Sequence, residues 1–201
     1  MRALFARSWL AVSRLGEPYV VGIDLSLTAT GLADLNLDRG KFINVSTFGT
    51  KGKRDDNYKK RGDRLALMAE TIVAWATAGT YDPALVAVEG PSIGSKGGSQ
   101  FDRSGLWWLV VSTLQGMDIP VLVVPPKTRA KYATGNGNSG KDVVVAHVIE
   151  QYGHLYGERI KNDNEADAMV LAAMGARYLG HVIDDDLPSS NLSAMSGVEA
   201  L

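Results

Sequence analysis

Residues 19–48 read YVVGIDLSLTATGLADLNLDRGKFINVSTF and predict three consecutive strands. The first, Tyr19–Ser26, is a short apolar run with β-branched residues, which is typical of a buried strand. Gly31–Leu37 and Phe42–Phe48 follow with alternating apolar positions, and Asp38–Gly40 supplies the turn between them. The stretch therefore predicts three antiparallel strands in sequence order.

The rest of the chain alternates between helices and strands. The predicted elements are a helix over 58–78, a strand over Ala84–Glu89, a helix over Phe101–Gln115, a strand over Pro120–Val124, and helices over Lys141–Tyr152 and Asp163–Tyr178. In the first of these helices the apolar residues recur at helical spacing, at Leu65, Met68, Ala69, Ile72, Val73 and Ala76. This order predicts an α/β protein with a mixed five-stranded sheet flanked by helices, the pattern of the ribonuclease H-like fold.

Composition excludes several classes of protein. The chain has 201 residues, of which 45% are apolar and 21% charged, as expected for a globular domain. No stretch approaches the roughly 18 apolar residues that cross a bilayer, so no membrane association is expected. The absence of cysteine excludes disulfide scaffolds, thiol catalysis and cysteine-bound metals, and only three histidines are present. Carboxylates and oxygen-binding metals remain as the means for difficult chemistry.

Both ends of the chain differ from its centre. We expect an N-terminal extension over residues 1–18, a folded domain over 19–181, and a flexible acidic tail over 182–201. Residues 1–16 contain three arginines and no acid, which faintly resembles an organelle transit peptide. The lack of cysteine fits a reducing compartment, so we expect a cytoplasmic location, with an organelle left open.

Positive charge is concentrated in two blocks, although the net charge is only −1. Between Lys41 and Arg64 there are eight lysines and arginines against three aspartates, and the only charges in 125–140 are Lys127, Arg129 and Lys131. Basic blocks on a nearly neutral chain indicate a polyanionic partner. The alternative is that these side chains are ordinary solvated surface charges.

Three acids lie in apolar surroundings. Asp24 and Glu89 each end a buried strand, and Asp167 lies in the closely packed helix sequence DNEADAMVLAAM. A buried carboxylate is unfavourable unless a partner or a metal compensates it. We expect all three at one edge of the sheet, where such a cluster would bind Mg²⁺ or Mn²⁺, with two ions acting on a phosphodiester. Taken singly, each acid could equally cap a loop or pair with a lysine.

Four segments in order resemble the RuvC-like Holliday junction resolvases, especially their small phage members. The segments are GIDLSLTATG (22–31), VAVEGP (86–91), PPKTRAKYATGNGNSGKDVVVAHV (125–148) and NEADAMVLA (164–172). The resemblance implies a homodimer that nicks four-way DNA junctions with Mg²⁺, that is, a crossover junction endodeoxyribonuclease. It assigns the catalytic acids to Asp24, Glu89 and Asp167. It also implies that residues 19–181 are a nuclease domain and that the cytoplasm is that of a bacterium or a phage-infected host cell.

The sequence departs from the family pattern three residues before the last acid. Family members usually have Asp or His there, whereas this chain has Asn164. Asp163 lies four residues before Asp167, on the same helix face. The fourth metal ligand is therefore either Asp163 or Asn164, beside Asp24, Glu89 and Asp167.

Lysines around a glycine-rich turn are the second resemblance to the family. Lys127, Lys131 and Lys141 flank Gly135–Gly137, and we expect them to contact the DNA backbone. In and after the loop that follows Glu89, we expect DNA contacts from three further residues, namely Lys96, Phe101 and Arg103. Phe101 or Ile93 is a candidate for a residue that inserts into the junction, because Ser92 replaces the aromatic residue of better-known members.

Three other functions remain open at this stage. The run DLSLTATG also resembles the phosphate loop of actin-like kinases and ATPases, but those need two such domains and 201 residues supply one. A catalytically weak or inactive protein that binds branched DNA is possible if Asn164 prevents metal binding. A further possibility is a nuclease of the same fold with another substrate, such as an RNA–DNA hybrid or a replication fork.

Overall fold

The computed structural model describes residues 16–91 and 99–201, which form a mixed sheet with helices on both faces. The strands are β1 (Tyr19–Asp24), β2 (Thr30–Asn36), β3 (Lys41–Phe48), β4 (Leu85–Glu89), β5 (Val121–Val124) and β6 (Glu199–Ala200). The helices are α1 (Tyr58–Ala76), α2 (Gln100–Gly116), α3 (Pro126–Thr134), α4 (Lys141–Tyr156), α5 (Asp163–Tyr178) and α6 (Ser189–Leu192), followed by a 3₁₀ turn over Ser193–Gly197.

The sheet order is β3-β2-β1-β4-β5-β6. The first three strands are antiparallel, whereas β1, β4 and β5 are parallel neighbours, as predicted. The prediction of five strands was wrong by one, because β6 pairs antiparallel with the outer edge of β5. A two-residue strand in a polar segment has too few residues to show a period of two, so nothing in the local pattern indicates it.

Side chains alternate between the two faces of the sheet, and each face has its own core. Tyr19, Val21 and Ile23 of β1 pack with α1 and α2, whereas Val20 packs with α5 on the opposite face. The buried residues of α1 are the six predicted from helical spacing, which confirms the orientation of that helix. No helix in the described ranges is long and apolar enough to span a membrane.

Helix α5 lies against the sheet at unusually close range. A Cβ atom at Gly22 would overlap the backbone of Ala168, and one at Gly31 would overlap the backbone of Asn164. Every residue from Glu165 to Ala176 is buried, and most are small. Glycine on the strands and alanine on the helix therefore set the distance between α5 and strands β1 and β2, and with it the position of Asp167.

Residues after 183 are ordered, which corrects the prediction of a flexible acidic tail. Asp184 is buried and accepts hydrogen bonds from Tyr132 Oη (2.8 Å) and Tyr152 Oη (2.6 Å). It also forms an ion pair with Arg177 at 2.6 Å. Further along, Asn191 Nδ2 donates to the carbonyl oxygen of Tyr132 at 2.9 Å. The C-terminal segment therefore fastens α3 to α4 and α5, although its composition is acidic and serine-rich.

Candidate active site

Asp24 and Glu89 lie side by side at the carboxyl ends of two parallel strands. The register pairs Ile23 with Val88, which makes Asp24 and Glu89 the next neighbours along β1 and β4. Alternation along the strands places both acids on the α5 face, two residues beyond Gly22 and Ala87. The sheet therefore brings two acids that are 65 residues apart in the chain to one edge, as the sequence predicts.

Asp167 approaches the same edge from α5. Its side chain is buried, and its charge acts on Asp24 together with that of Glu89. The close contact between Gly22 and Ala168, the residue after Asp167, fixes the height of the acid above β1. The expected convergence of Asp24, Glu89 and Asp167 is thus present; their catalytic and metal-binding roles stay predictions.

Arg129 joins two of these acids. Its Nε donates to Glu89 Oε2 at 2.5 Å, and its Nη1 forms an ion pair with Asp167 Oδ1. All three side chains are largely enclosed, with 12% of Arg129 and 17% of Glu89 exposed. Arg129 reaches them because α3 begins directly after β5, the strand next to β4. From the sequence, Arg129 is identifiable only as part of a basic block, and its contact with the two acids is not evident.

Mutual repulsion and loss of hydration shift the titration of two of the acids. Burial first, then the charges of Glu89 and Asp167, raise the pKa of Asp24 to about 8. Burial also raises the pKa of Asp167 to about 6, although Arg129 acts in the opposite direction. The cluster is therefore short of positive charge even with the arginine in place.

The backbone around Glu89 is held firmly. Trp107 Nε1 donates to the carbonyl oxygen of Glu89 at 2.9 Å, and Gly90 N donates to that of Val124 at 2.8 Å. Trp107 is buried, as expected of a core residue, whereas 61% of Trp108 is exposed. These contacts fix the end of β4 and so the direction in which the Glu89 side chain leaves it.

The two candidates for the fourth ligand differ in their surroundings. Asp163 is the first residue of α5 and forms an ion pair with Lys141, whose hydrogen bond lowers the pKa of Asp163. The backbone of Asn164 packs against Gly31. Glu165 points away from the cluster and accepts from the backbone N–H of Lys161 at 2.7 Å. The choice between Asp163 and Asn164 stays a prediction.

The three acids are not arranged as a preformed metal-binding site. Within residues 16–91 and 99–201, no group of three or more His, Asp and Glu side chains has the spacing of a metal site. The carboxylates of Glu89 and Asp167 instead pair with the guanidinium of Arg129. The donor set itself consists of carboxylate oxygens alone, which suits Mg²⁺ or Mn²⁺.

The candidate DNA-binding lysines lie around one loop. Lys127 and Lys131 belong to α3, and Lys141 begins α4. Gly135 ends α3 with φ of 78°, a left-handed conformation that favours glycine, and Gly137 packs against the carbonyl of Lys127. The loop thus folds back onto α3 and keeps the lysines near the acid cluster, since the Lys141 ammonium acts on both Asp24 and Asp167.

The other candidate DNA contacts lie at the beginning of α2. Phe101 is 76% exposed and Arg103 is exposed in the first turn of the helix. Lys96, Ser92 and Ile93 lie outside the described residues. The exposure of Phe101 leaves its proposed insertion into a junction as a prediction.

Two arginines of the first basic block, Lys41–Arg64, form ion pairs with a buried acid. Arg61 and Arg64 of α1 both form ion pairs with the buried Asp102 of α2, at 2.5 Å and 3.3 Å. These two arginines tie α1 to α2 and are not free to bind an anion. The local positive charge read from Lys41–Arg64 is therefore smaller at the surface than the sequence indicates.

Comparison with known proteins supports the fold. The sequence matches no protein-family model and none of the curated proteins with which it was compared. Among solved structures, Thermus thermophilus RuvC is similar with a TM-score of 0.63 and 18% identity, covering 81% of this chain and 97% of that one. T. thermophilus RuvC in complex with a Holliday junction substrate gives a TM-score of 0.58 and 17% identity, covering 82% and 97%.

A third match is the yeast mitochondrial Holliday junction resolvase Ydc2, with a TM-score of 0.55 and 14% identity over 88% of this chain and 83% of that one. The architecture is therefore the ribonuclease H-like α/β fold. Within that class, the chain has the fold seen in RuvC.

Proposed function

We propose that this protein is a divalent-metal-dependent endonuclease that cuts four-way or otherwise branched DNA. The observation that carries the proposal is the convergence of Asp24, Glu89 and Asp167 at one sheet edge, with raised pKa values at Asp24 and Asp167. One of the structures compared above is RuvC in complex with a Holliday junction substrate, and another is the yeast mitochondrial Holliday junction resolvase Ydc2. Both agree with this assignment.

The acid cluster fits a divalent cation by its chemistry and its charge. Three carboxylates face one guanidinium, so two negative charges are uncompensated when all three acids are ionised. Asp24, Glu89 and Asp167 would hold Mg²⁺ or Mn²⁺, with Asp163 or Asn164 as a further ligand. Bound there in a pair, such ions supply an activated water and stabilise the leaving oxygen of a phosphodiester.

The protein's own residues would position the DNA. Lys127, Lys131 and Lys141 lie on the cluster's side of the sheet, where phosphate contacts supply affinity without sequence preference. The Lys141–Asp163 ion pair places a cation beside the acids, where it would contact a DNA phosphate. Phe101 and Arg103 would extend this surface along the start of α2.

A homodimer is part of the proposal, because two symmetric nicks need two equivalent sites. Helix α2 exposes Phe101, Trp108 and Leu109, and large exposed apolar side chains mark interaction surfaces. Sedimentation at micromolar concentration tests this point. A Trp108→Glu protein that stays folded and becomes monomeric supports α2 as the interface.

The decisive experiment titrates Mg²⁺ against a labelled four-way junction, a fork and a linear duplex in parallel. We expect nicking of the junction that requires Mg²⁺, and loss of nicking with retained junction binding in Asp24→Asn. Asp38→Asn, an exposed acid in the turn after β2, is the matched control and keeps full activity. Metal-independent nicking, or equal nicking of all three DNA forms, would contradict the proposal.

One observation favours a second candidate, a protein that binds branched DNA without cutting it. The cluster holds Arg129 in place of a preassembled metal site, and Asn164 stands where the resemblance calls for a charged or imidazole ligand. The same titration separates the two functions. Tight junction binding with no nicking at any Mg²⁺ or Mn²⁺ concentration would favour the second.

A further inference from the structure

Arg129 is an unusual feature at the centre of a site that has to bind cations. It is held by both Glu89 and Asp167, and only 12% of its side chain is exposed. A solvated arginine that merely happened to lie nearby would not be enclosed between two acids from different elements. The guanidinium occupies the space between β4 and α5 that a metal shared by Glu89 and Asp167 would need.

The arginine cannot easily be withdrawn by moving its helix. Three residues further along α3, Tyr132 is fully buried and donates to Asp184, and Arg177 Nε donates to Tyr132 Oη at 2.8 Å. Asn191 holds the backbone of Tyr132 from the C-terminal segment. Departure of the guanidinium from the acids therefore takes place by rotation of the Arg129 side chain.

The arrangement leaves Asp24 outside the arginine's direct contacts. Among the described ion pairs, Arg129 contacts Glu89 and Asp167, whereas its influence on Asp24 is through space. One positive charge neutralises two acids only in part, and a divalent cation supplies more charge to all three. The balance between the two cations is thus set by concentration of the metal.

We propose that Arg129 is an internal cation that holds Glu89 and Asp167 together while no metal is bound, and that divalent ions must displace it. This inference rests on the proposed metal site. It makes metal affinity a property of Arg129 as well as of the acids, and it makes the free protein stable without metal. After displacement, the released guanidinium remains beside the site, where it can contact a DNA phosphate.

The test measures Mn²⁺ affinity by calorimetry and by the electron paramagnetic resonance of free Mn²⁺, without DNA. Arg129→Gln removes the charge at similar length and is expected to bind Mn²⁺ about tenfold more tightly or better, because a contacting like charge is lost. Arg129→Lys keeps the charge but loses the planar group that bridges the two acids, and its Mn²⁺ affinity is expected to lie between those of the unmodified protein and Arg129→Gln. Arg159→Gln, which removes an exposed charge before α5, is the control and should change affinity by less than about twofold.

A second measurement uses the unmodified protein and does not depend on folding of the Gln variant. The Arg129 Nε–H signal in an NMR spectrum, assigned with Arg129→Lys, is expected to move toward that of free arginine as Mg²⁺ is added. The proposal would be overturned if this signal does not move while other signals in the spectrum shift because Mg²⁺ binds.

The outcomes separate this inference from the proposed function. Unchanged or weaker Mn²⁺ binding by Arg129→Gln, with clear binding by the unmodified protein, overturns the displacement of Arg129 and leaves the metal site standing. Absence of binding in every variant overturns both.

Discussion

Replacing Asp184 by asparagine is expected to lower the free energy of unfolding by about 3–5 kcal/mol. The Asp184 carboxylate is buried and accepts from Tyr132, Tyr152 and Arg177 at 2.6–2.8 Å. The two tyrosines donate to Oδ2 and Arg177 donates to Oδ1. Asparagine keeps the shape but has one acceptor oxygen, so either Arg177 or both tyrosines face its NH2 group, and the bonds that remain lose their charged acceptor. Hydrogen bonds to a charged group contribute about 1.5–3 kcal/mol each, and two of them account for the expected loss.

Urea denaturation followed by tryptophan fluorescence measures this effect. For an m value of about 2 kcal/mol/M, the loss corresponds to a fall of about 2 M in the midpoint. Asp185→Asn is the matched control, because the neighbouring acid is exposed and should change stability by less than about 0.5 kcal/mol. A change of under about 1 kcal/mol in Asp184→Asn, with unchanged m value, would refute the conclusion that this carboxylate anchors the C-terminal segment.

Three further predictions concern the site. Gly22→Ala forces its Cβ into the backbone of Ala168. We expect the free energy of unfolding, measured by urea denaturation, to fall by about 1–3 kcal/mol or more, and nicking to be impaired. Gly153→Ala, at an open position on α4, should leave stability and nicking unchanged. Lys141→Ala is expected to weaken binding to every DNA form and to reduce the slope of log affinity against log salt by about one, and an unchanged slope would show that this lysine contacts no phosphate. In metal-free protein, the pKa values of Asp24 and Asp167 are raised to about 8 and about 6. The folded state therefore binds more protons than the unfolded state between about pH 4 and 8. Stability is expected to be highest at the acidic end of this range and to fall as the pH rises through it. Asp24→Asn should flatten that decline in urea titrations containing a chelator, and an equally steep decline would place the titrating group elsewhere.

The sequence predicts elements wherever periodicity is long enough to be read. The strands β1 to β5 and helices α1, α2, α4 and α5 were all expected, and the buried face of α1 was correct to the residue. Helix α3 was missed because Pro125 and Pro126 read as a break, whereas Pro126 in fact begins the helix, where the missing N–H is not needed. Strand β6 and the ordered C-terminal segment depend on partners distant in the chain, chiefly Tyr132 and Tyr152 for Asp184.

The candidate site shows the same division. Asp24, Glu89 and Asp167 could be selected because each is an acid in an apolar stretch, and the order of strands brings their positions together. Arg129, the partner of Glu89 and Asp167, could not be selected in this way. An arginine in a basic, glycine-rich region looks like a DNA contact until the position of the neighbouring helix is known. The only sequence signal for Arg129 was its position, five residues beyond the end of β5, the strand that pairs with β4.

Crystals grown with Mn²⁺ provide the most direct test that these acids form a cation site. The anomalous difference map is predicted to show a peak within coordination distance of Asp24 and of Glu89 or Asp167, with the Arg129 guanidinium moved away from them. A map with no peak at this sheet edge, in crystals whose Mn²⁺ is bound elsewhere and whose Arg129 still pairs with Glu89 and Asp167, would contradict the account.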